Sequence, residues 1–214
     1  EDDFKDVENG VLKDGVPKQT FTAKVRPGDI KYVDLDKNGF IDTYDQMAIG
    51  GTENPEIVYG FGVNLRWKEL DFGAMFQGVG RTWRILSSNI MPASNKGSMY
   101  NIFDNYQDRW TVDNQSQDVF YPRADYGPNA NNSQKSTWWL RNMSFLRLKN
   151  LELGYSCPKK WLQGFVISNA RVFVRGTNLL TFSKFNLWDP ELATGDGAKY
   201  PAMKSVSVGF DITF

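Results

Sequence analysis

Oxygen-bearing side chains recur at a fixed spacing in the stretch DLDKNGFIDTYD, residues 34–45. Calcium binds about six to eight oxygens, and an EF-hand loop supplies them from positions 1, 3, 5, 7, 9 and 12, with glycine at position 6. Gly39 occupies position 6 here. The spacing therefore predicts a Ca2+ site formed by five side chains and one main-chain carbonyl: Asp34, Asp36, Asn38, Asp42 and Asp45, and the carbonyl of Phe40.

The loop departs from the EF-hand pattern in two ways. Asp45 stands where the pattern has a bidentate glutamate, so weaker or different coordination is expected. Pro27 and Gly28 precede the loop and Gly50 and Gly51 follow it, which does not favour flanking helices. The sequence indicates an isolated calcium turn and not a calcium sensor. The alternative is a solvated turn without an ion, since Asn, Asp and Gly favour turns by themselves.

Composition excludes several classes of function. The chain has 25 basic and 25 acidic residues and no net charge, so it lacks the electrostatic footprint of a nucleic-acid-binding protein. It has no histidine, which removes the commonest general base and zinc ligand. The single cysteine, Cys157, has no partner for an internal disulfide and no histidine to activate it. No enzymatic activity is expected.

The search for membrane and export segments gives two further expectations. No apolar run reaches the roughly 18 residues of a transmembrane helix. The first ten residues, EDDFKDVENG, lack the basic start and apolar core of a signal peptide. Any contact with a membrane must therefore be made by other elements.

Alternation of apolar and polar residues is the dominant periodicity. In SVSVGFDITF, Val206, Val208, Phe210, Ile212 and Phe214 share one face. Segments near 57–67, 70–79, 145–156 and 170–180 alternate in the same way, and each is about as long as a tilted strand that crosses a bilayer. The pattern predicts five strands that are antiparallel neighbours in chain order.

Two details constrain these strands. Arg171 and Arg175 share a face that must be polar, because a lipid-facing arginine at the membrane midplane costs about 2–4 kcal/mol. The alternation in FLRLKNLELGYS changes face near Lys149 and Asn150, which predicts a β-bulge there.

Short and long connections alternate between the strands. Residues 68–69 form a tight hairpin and 156–169 a modest turn, whereas 80–143 and 181–203 are long and polar. Outer-membrane barrels have short periplasmic turns and long extracellular loops. The predicted organisation is an extracellular loop region, 1–55, containing the calcium turn, followed by barrel strands over 56–214 with extracellular loops 80–143 and 181–203.

A family resemblance rests on blocks that occur in a fixed order. They are RPGDIKYVDLDKNGFIDTYDQMAIGGTENPEIVYGFGVNLRWKELDFGAMFQGVGR, WWLRNMSFLRLKNLELGYSCP, ARVFVRGTNLLTF, DPE at 189–191, and SVSVGFDITF. The ordered series, from about residue 26 to Phe214, resembles the C-terminal end of SusC/RagA-like TonB-dependent outer-membrane transporters. Phe214 resembles the terminal aromatic residue by which the barrel-assembly machinery recognises its substrates.

The resemblance implies an all-β fold: the C-terminal strands of a large antiparallel transmembrane β-barrel, with about 22 strands in the full protein. It also implies import of oligosaccharides or peptides across the outer membrane of a Gram-negative, Bacteroidetes-like bacterium. The implied partners are a SusD-like lipoprotein lid and the TonB complex, reached through an N-terminal plug. Neither a plug nor a TonB box is visible here, and five strands would leave unpaired edges in lipid, so a portion of a larger protein is expected.

Aromatic residues outside the strands are candidates for contact with substrate or with the lid, since their flat faces and polar rims suit interfaces. The alternative is packing within the loops. Trp67, Trp138 and Trp139 lie near strand ends and are instead predicted in an interfacial belt. The contact candidates are Trp83, Tyr100, Phe103, Tyr106, Trp110 and Trp188.

Two other classes of protein share some of these features. A soluble secreted β-sandwich with a calcium turn would also show alternating strands, but it predicts a polar outer face where this chain has large apolar residues. A small porin or adhesin of eight to ten strands would need more strands than the sequence shows.

Overall fold

The structure is a computed structural model that describes residues 2–87, 103–125 and 129–214. The chain forms two compact units, neither of which is continuous in sequence. The loop unit comprises Glu1–Gly50 and Ile85–Leu140, and the sheet unit comprises Gly51–Arg84 and Arg141–Phe214. Residues 85–140 therefore belong to the same compact unit as the first fifty residues.

The described residues of the loop unit form little regular structure. Strands β1 (Phe4–Asp6) and β2 (Val11–Leu12) pair antiparallel, and β3 (Lys18–Gln19) pairs parallel with β4 (Phe40–Ile41). A 3-10 turn covers Asp104–Gln107. Such short ladders supply few main-chain hydrogen bonds, so other contacts must order this unit.

The interior of the loop unit is aromatic. Trp139 is 1% exposed, and its Nε1–H donates to the carbonyl of Asn132 at 2.8 Å. The prediction that Trp139 belongs to a membrane-interface belt is therefore wrong, because its ring is enclosed by protein. Among the residues of this unit that the structure describes, the other buried apolar side chains are Ile30, Ile41, Leu86, Trp110 and Tyr121.

The sheet unit consists mainly of one five-stranded antiparallel sheet, which confirms the five predicted strands and their order. The order across the sheet is β5 (Ile57–Trp67), β6 (Leu70–Gly80), β9 (Phe145–Ser156), β10 (Asn169–Ser183) and β11 (Ser205–Thr213). Strands β7 (Trp83–Ile85) and β8 (Leu140–Asn142) form a separate two-stranded pair. Short helical turns cover Lys159–Leu162 (α1) and Pro190–Leu192.

The predicted bulge is confirmed at Lys149. Met75 pairs with Asn150, but the next residue of β6, Phe76, pairs with Leu148, so Lys149 is the extra residue. The extra residue lets Leu148 and Leu151 lie on one face despite their odd spacing. Without it, the second half of β9 would present its apolar residues on the wrong face.

The register gives the sheet one apolar face and one polar face. Phe61 pairs with Phe76 and their rings stack at 5.1 Å, whereas on the other face Arg66 pairs with Asp71. Apolar side chains remain open on the first face, with Phe210 75% and Val208 71% exposed. Exposing this much contiguous apolar surface to water is unfavourable, so the face is suited to apolar surroundings. Among the described residues, no helix is long and apolar enough to cross a membrane.

Candidate functional site

The predicted calcium turn folds back on itself through its own side chains. Gly39 has φ 86°, the left-handed conformation expected at position 6. Its N–H donates to Asp34 Oδ2 at 2.9 Å, and the N–H of Asn38 donates to Asp36 Oδ1 at 3.1 Å. The loop therefore turns its first two carboxylates toward its own centre.

Asp45 closes the turn from the other end. Its two carboxylate oxygens accept from the N–H groups of Leu35 at 2.7 Å and Asp42 at 2.9 Å. These amide donors, with that of Asp42 the largest cause, lower the pKa of Asp45 below its ordinary value. The group is thus held as a carboxylate, the form that binds cations.

Three carboxylates converge. Asp34, Asp36 and Asp45 each offer an oxygen, and these oxygens all lie within 4.8 Å of one another. Asp34 Oδ1 is buried and accepts no hydrogen bond from the described residues. A buried carboxylate oxygen without a donor is costly, and a cation would satisfy it. This arrangement fits a calcium ion.

Two other predicted ligands, Asn38 and Asp42, accept hydrogen bonds from main-chain N–H groups of the turn. Asn38 Oδ1 accepts from the N–H of Phe40 at 2.8 Å, and Asp42 Oδ1 accepts from the N–H of Tyr44 at 2.7 Å. Asp42 lies outside the group of three converging carboxylates. Phe40 is in β4, beside β3. These side chains thus help to shape the turn through hydrogen bonds of their own.

The polar face of the sheet carries a charge network centred on Arg171. Its guanidinium donates to Asp71 through Nε at 3.0 Å and Nη2 at 2.5 Å, and to Glu152 at 2.6 Å. Arg175 donates to the other oxygen of Glu152 at 2.6 Å, and Asp211 lies 3.4 Å from Arg171. The predicted polar orientation of both arginines is confirmed.

Glycines make room on this face. A Cβ on Gly154 would lie 2.4 Å from Arg171 Nη2 and 2.6 Å from both Asp71 carboxylate oxygens. Next to the network is an open groove of about 930 Å3 whose lining includes Gly60, Gly62 and Gly73. Backbone without side chains lets another polypeptide segment or a ligand approach closely.

Sequence reasoning missed a second network, at the long loop after β10. Arg147 is 2% exposed, contacts Asp189 through Nη2 and lies 3.3 Å from Glu191. Lys149 approaches Glu191 at 2.6 Å. Asp189 also accepts from the N–H of Glu191 at 3.0 Å, which caps the 3-10 turn. The sequence feature that could have predicted this network is the DPE motif. Its acidic residues bind Arg147 and Lys149 of β9 and hold the loop against that strand.

The loop unit has a buried polar node of its own at Asp29. Its Oδ1 accepts from Arg123 at 3.1 Å and from the side-chain amides of Asn129 and Asn132 at 3.0 Å each. Its Oδ2 accepts from the N–H of Arg26 at 2.8 Å. Arg123, Asn129 and Asn132 lie about a hundred positions from Asp29 in the chain. No periodicity in the sequence predicted that they would meet it.

The predicted aromatic contact residues are distributed between the two units. Trp83 and Trp188 belong to the sheet unit, and Phe103, Tyr106 and Trp110 to the loop unit. Tyr100 lies outside the described residues. Trp110 is 9% exposed and its ring lies against Gly28. Contact of any of them with a substrate or a lid stays a prediction.

The remaining members of this set have identifiable neighbours. Trp188 packs edge-on against Phe185, with ring centroids 4.8 Å apart, and its Nε1 is buried without a partner among the described residues. Trp83 lies against Gly51. The guanidinium of Arg109 lies 4.5 Å from the ring centroid of Tyr106. Phe103 immediately precedes the 3-10 turn.

Sequence comparison finds related proteins along most of the chain. No family model matches it. TonB-dependent receptor P26 of Formosa agariphila is 32% identical over 202 residues, which cover 87% of this chain and 20% of that protein. TonB-dependent receptor SusC of Bacteroides thetaiotaomicron is 24% identical over 205 residues, covering 93% of this chain and 19% of that one. The chain thus spans about a fifth of the length of the curated relatives it matches.

Solved structures give the same result. The RagAB peptide transporter matches with a TM-score of 0.65 and 32% identity, over 81% of this chain and 19% of that one. The RagAB peptide importer in its open-open state matches with a TM-score of 0.66 and 32% identity, over 86% and 20%. These related proteins are named as receptors, transporters or importers.

Proposed function

The chain belongs to the SusC/RagA-like TonB-dependent transporters and is a portion of such a barrel, and from that premise we propose that it contributes to nutrient import across an outer membrane. The observation that carries the proposal is the five-stranded antiparallel sheet with one apolar and one charged face, matched to transporters along most of the chain. The apolar face would contact lipid and the charged face the barrel interior. In a soluble β-sandwich a second sheet covers the apolar face, whereas Phe210 and Val208 on this face are 75% and 71% exposed.

The proposed cargo is an oligosaccharide or a peptide. The likeness to an importer named for peptides, at 32% identity, supports the peptide. The groove of about 930 Å3 beside Arg66, Asp71 and Glu152 offers polar groups to either. The chain itself is proposed to bind and guide cargo without catalysing a reaction.

The proposed partners follow from the same likeness. A SusD-like lipoprotein would cover the extracellular side, and the TonB complex would act through other parts of the full-length protein. The RagAB and SusC matches support the lipoprotein. The proposed location is the outer membrane of a Gram-negative, Bacteroidetes-like bacterium.

A membrane-topology experiment tests the orientation on which this proposal depends. In the full-length transporter with Cys157→Ala, single cysteines at Asp113, Lys68 and Lys159 would be exposed to an impermeant thiol reagent on intact cells. We expect labelling at position 113, because residues 80–143 are proposed to be extracellular, and no labelling at 68 or 159. The reverse pattern would contradict the proposal. Growth on oligosaccharide or peptide as sole nutrient, with and without the transporter, then identifies the cargo.

Phe214 is proposed to serve assembly. It is 81% exposed directly after β11, so it is available to the barrel-assembly machinery. Deletion of Phe214 should lower the amount of inserted transporter and leave uptake per inserted molecule unchanged. Equal insertion of the truncated and intact proteins, measured by surface immunolabelling, would remove the basis for this role.

We also propose that the turn at residues 34–45 binds a structural calcium ion. The support is the buried Asp34 Oδ1, which accepts no hydrogen bond within the described part of the chain, and the convergence of three carboxylates. When bound, calcium supplies charge neutralisation, which relieves the repulsion between these groups. Asp34, Asp36 and Asp45 would hold it, and the predicted ligands Asn38, Asp42 and the Phe40 carbonyl would complete the shell.

Calcium content distinguishes this site from a bare polar turn. The full-length transporter would be dialysed against a calcium buffer and analysed by elemental mass spectrometry. Asp34→Ala with Asp36→Ala should lose one calcium per molecule and loosen residues 26–50 in hydrogen exchange. The matched control, Asp113→Ala with Asp118→Ala, removes the same charge from exposed positions of the loop unit. Equal calcium content in both variants would refute the site.

A further inference from the structure

One end of the sheet is formed by short connections, and we call it the short-turn end: residues 68–69, 156–169 and 213–214. Its middle segment is fixed at both ends. The N–H of Ser156 donates to the Glu69 carbonyl at 2.8 Å, and that of Cys157 to the Ala170 carbonyl at 2.8 Å. At the far end, the N–H of Ser168 donates to the Thr213 carbonyl at 2.7 Å. The segment is therefore held across the ends of the strands.

Between these fixed points the segment exposes large apolar side chains. Trp161 is 59%, Phe165 70% and Val166 85% exposed. Trp67, at the end of β5, and Phe214, after β11, are 69% and 81% exposed. Clusters of this kind are unfavourable in water and usually mark a contact surface.

The same end is basic. Lys159 and Lys160 directly precede Trp161, and the segment SCPKKWLQGFVISN contains no acidic residue. Lys68 Nζ lies 5.1 Å from the ring centroid of Trp67. The short-turn end thus has three lysines against one glutamate, Glu69, whereas residues 184–204 at the opposite end have three lysines and three acidic residues.

We propose that the short-turn end is an anchor for anionic phospholipid: Trp161, Phe165 and Val166 enter the headgroup boundary while Lys68, Lys159 and Lys160 contact headgroup phosphates. Two observations select a lipid surface. The short-turn end adjoins the apolar face of the sheet, which is proposed to contact lipid, through Trp67 and Tyr155 at the ends of β5 and β9. Its charge is complementary to anionic headgroups, and tryptophan with lysine is the combination that membrane interfaces favour.

This inference rests on the barrel fold and not on the proposed cargo. Each lysine near an anionic membrane surface raises the affinity of the protein for that surface about fivefold. Two lysines together therefore give an expected change of about 5- to 25-fold. An anchor of this kind would fix the depth and tilt of these strands in the bilayer.

The first measurement is lipid affinity. The full-length transporter, delipidated in neutral detergent, would be titrated with phosphatidylglycerol and with phosphatidylcholine and followed by native mass spectrometry. Phosphatidylglycerol should bind more tightly, and Lys159→Gln with Lys160→Gln should weaken that binding about 5- to 25-fold without affecting phosphatidylcholine. The control, Lys184→Gln with Lys204→Gln, removes two exposed lysines from the opposite end and should change little.

The second measurement is depth. A nitroxide placed at Phe165→Cys, in a Cys157→Ala background, should be relaxed by oxygen more than by a water-soluble nickel complex when the transporter is in phosphatidylglycerol nanodiscs. Equal losses of affinity in both lysine variants would overturn the proposal by showing a diffuse charge effect. A label shielded from both relaxants would also overturn it, since a protein partner would then cover the patch.

Discussion

The two units of the chain are ordered by different interactions. In the sheet unit, each long strand pairs with the next one along the chain, and β5 and β6 are joined by only residues 68–69. In the loop unit, the N–H of Ile30 donates to Asn132 Oδ1 at 2.9 Å, and Asn131 Nδ2 donates to the carbonyl of Ile30 at 2.8 Å. Main-chain ladders order the first unit, and side chains from distant segments order the second.

This difference implies a difference in tolerance to substitution. A ladder is built from groups that every residue carries, so the sheet can absorb many side-chain changes. In a buried polar node, loss of one side chain lowers stability strongly, because the remaining polar groups lack hydrogen-bond partners at low dielectric. The predictions below test this contrast, from the largest expected effect to the smallest, in the full-length transporter.

Asp29→Ala should have the largest effect. The Asp29 side chain is 4% exposed and Arg123 17% exposed, so the substitution leaves a mostly buried guanidinium whose remaining acidic partner among the described residues is Asp125, at 2.9 Å. We expect residues 26–32 and 123–125 to lose about 3–5 kcal/mol of local stability in hydrogen exchange, while the five long strands keep their protection. Loss of protection in the strands as well would show that the two units are not independently ordered.

Arg147→Met should detach the loop after β10 from β9. The strands that the loop connects, β10 and β11, should stay paired. The substitution leaves Asp189 and Glu191 without their buried cation, although Lys149 remains near Glu191. We expect about 3 kcal/mol of lost local stability in residues 184–203. Lys199→Met, at an exposed position of the same loop, is the control and should change little. An unchanged loop in both variants would mean that the network does not hold it.

Gly154→Ala tests whether the sheet has a sensitive position of its own. The added methyl would meet Arg171 Nη2 at 2.4 Å and the Asp71 carboxylate at 2.6 Å. Displacing that network should cost about 1–3 kcal/mol, measured as a lower midpoint of thermal unfolding in detergent. Gly80→Ala is the matched control, since its methyl would meet Ile57 at 3.6 Å, an ordinary contact. Equal midpoints for the two variants would contradict this account.

Tyr32 gives the loop unit a dependence on alkaline pH. Burial raises the pKa of Tyr32 above its ordinary value, and its hydroxyl donates to the Asn131 carbonyl at 2.6 Å. A raised folded-state pKa means that the stabilisation is fully present below about pH 10, the unfolded value, and is lost as pH rises through the folded value. Tyr32→Phe should lower the local stability of the loop unit by about 1 kcal/mol at neutral pH. It should also reduce the decrease in protease resistance of residues 26–32 that occurs at alkaline pH. An unchanged alkaline profile would exclude this role.

The sequence alone determined the sheet. Because side chains alternate between the two faces of a strand, Val206, Val208 and Phe210 must share one face. The alternation changes phase at Lys149, which predicts the bulge because one extra residue shifts the pattern. The two arginines of β10 fixed which face is polar, because charge in lipid is costly. The spacing of oxygens in residues 34–45 likewise predicted a calcium turn, and that remains a proposal for the ion itself.

Only the tertiary structure decided which side chains meet across long stretches of chain. The node at Asp29 joins segments about a hundred residues apart, and the buried Trp110 lies against Gly28, in another distant segment. The contact of Arg147 with Asp189 spans 42 positions. Such contacts leave no periodic trace, because a side-chain hydrogen bond requires only that two groups meet in space. In the calcium turn, too, spacing gave the candidates, and the folded loop determined that Asp34, Asp36 and Asp45 converge.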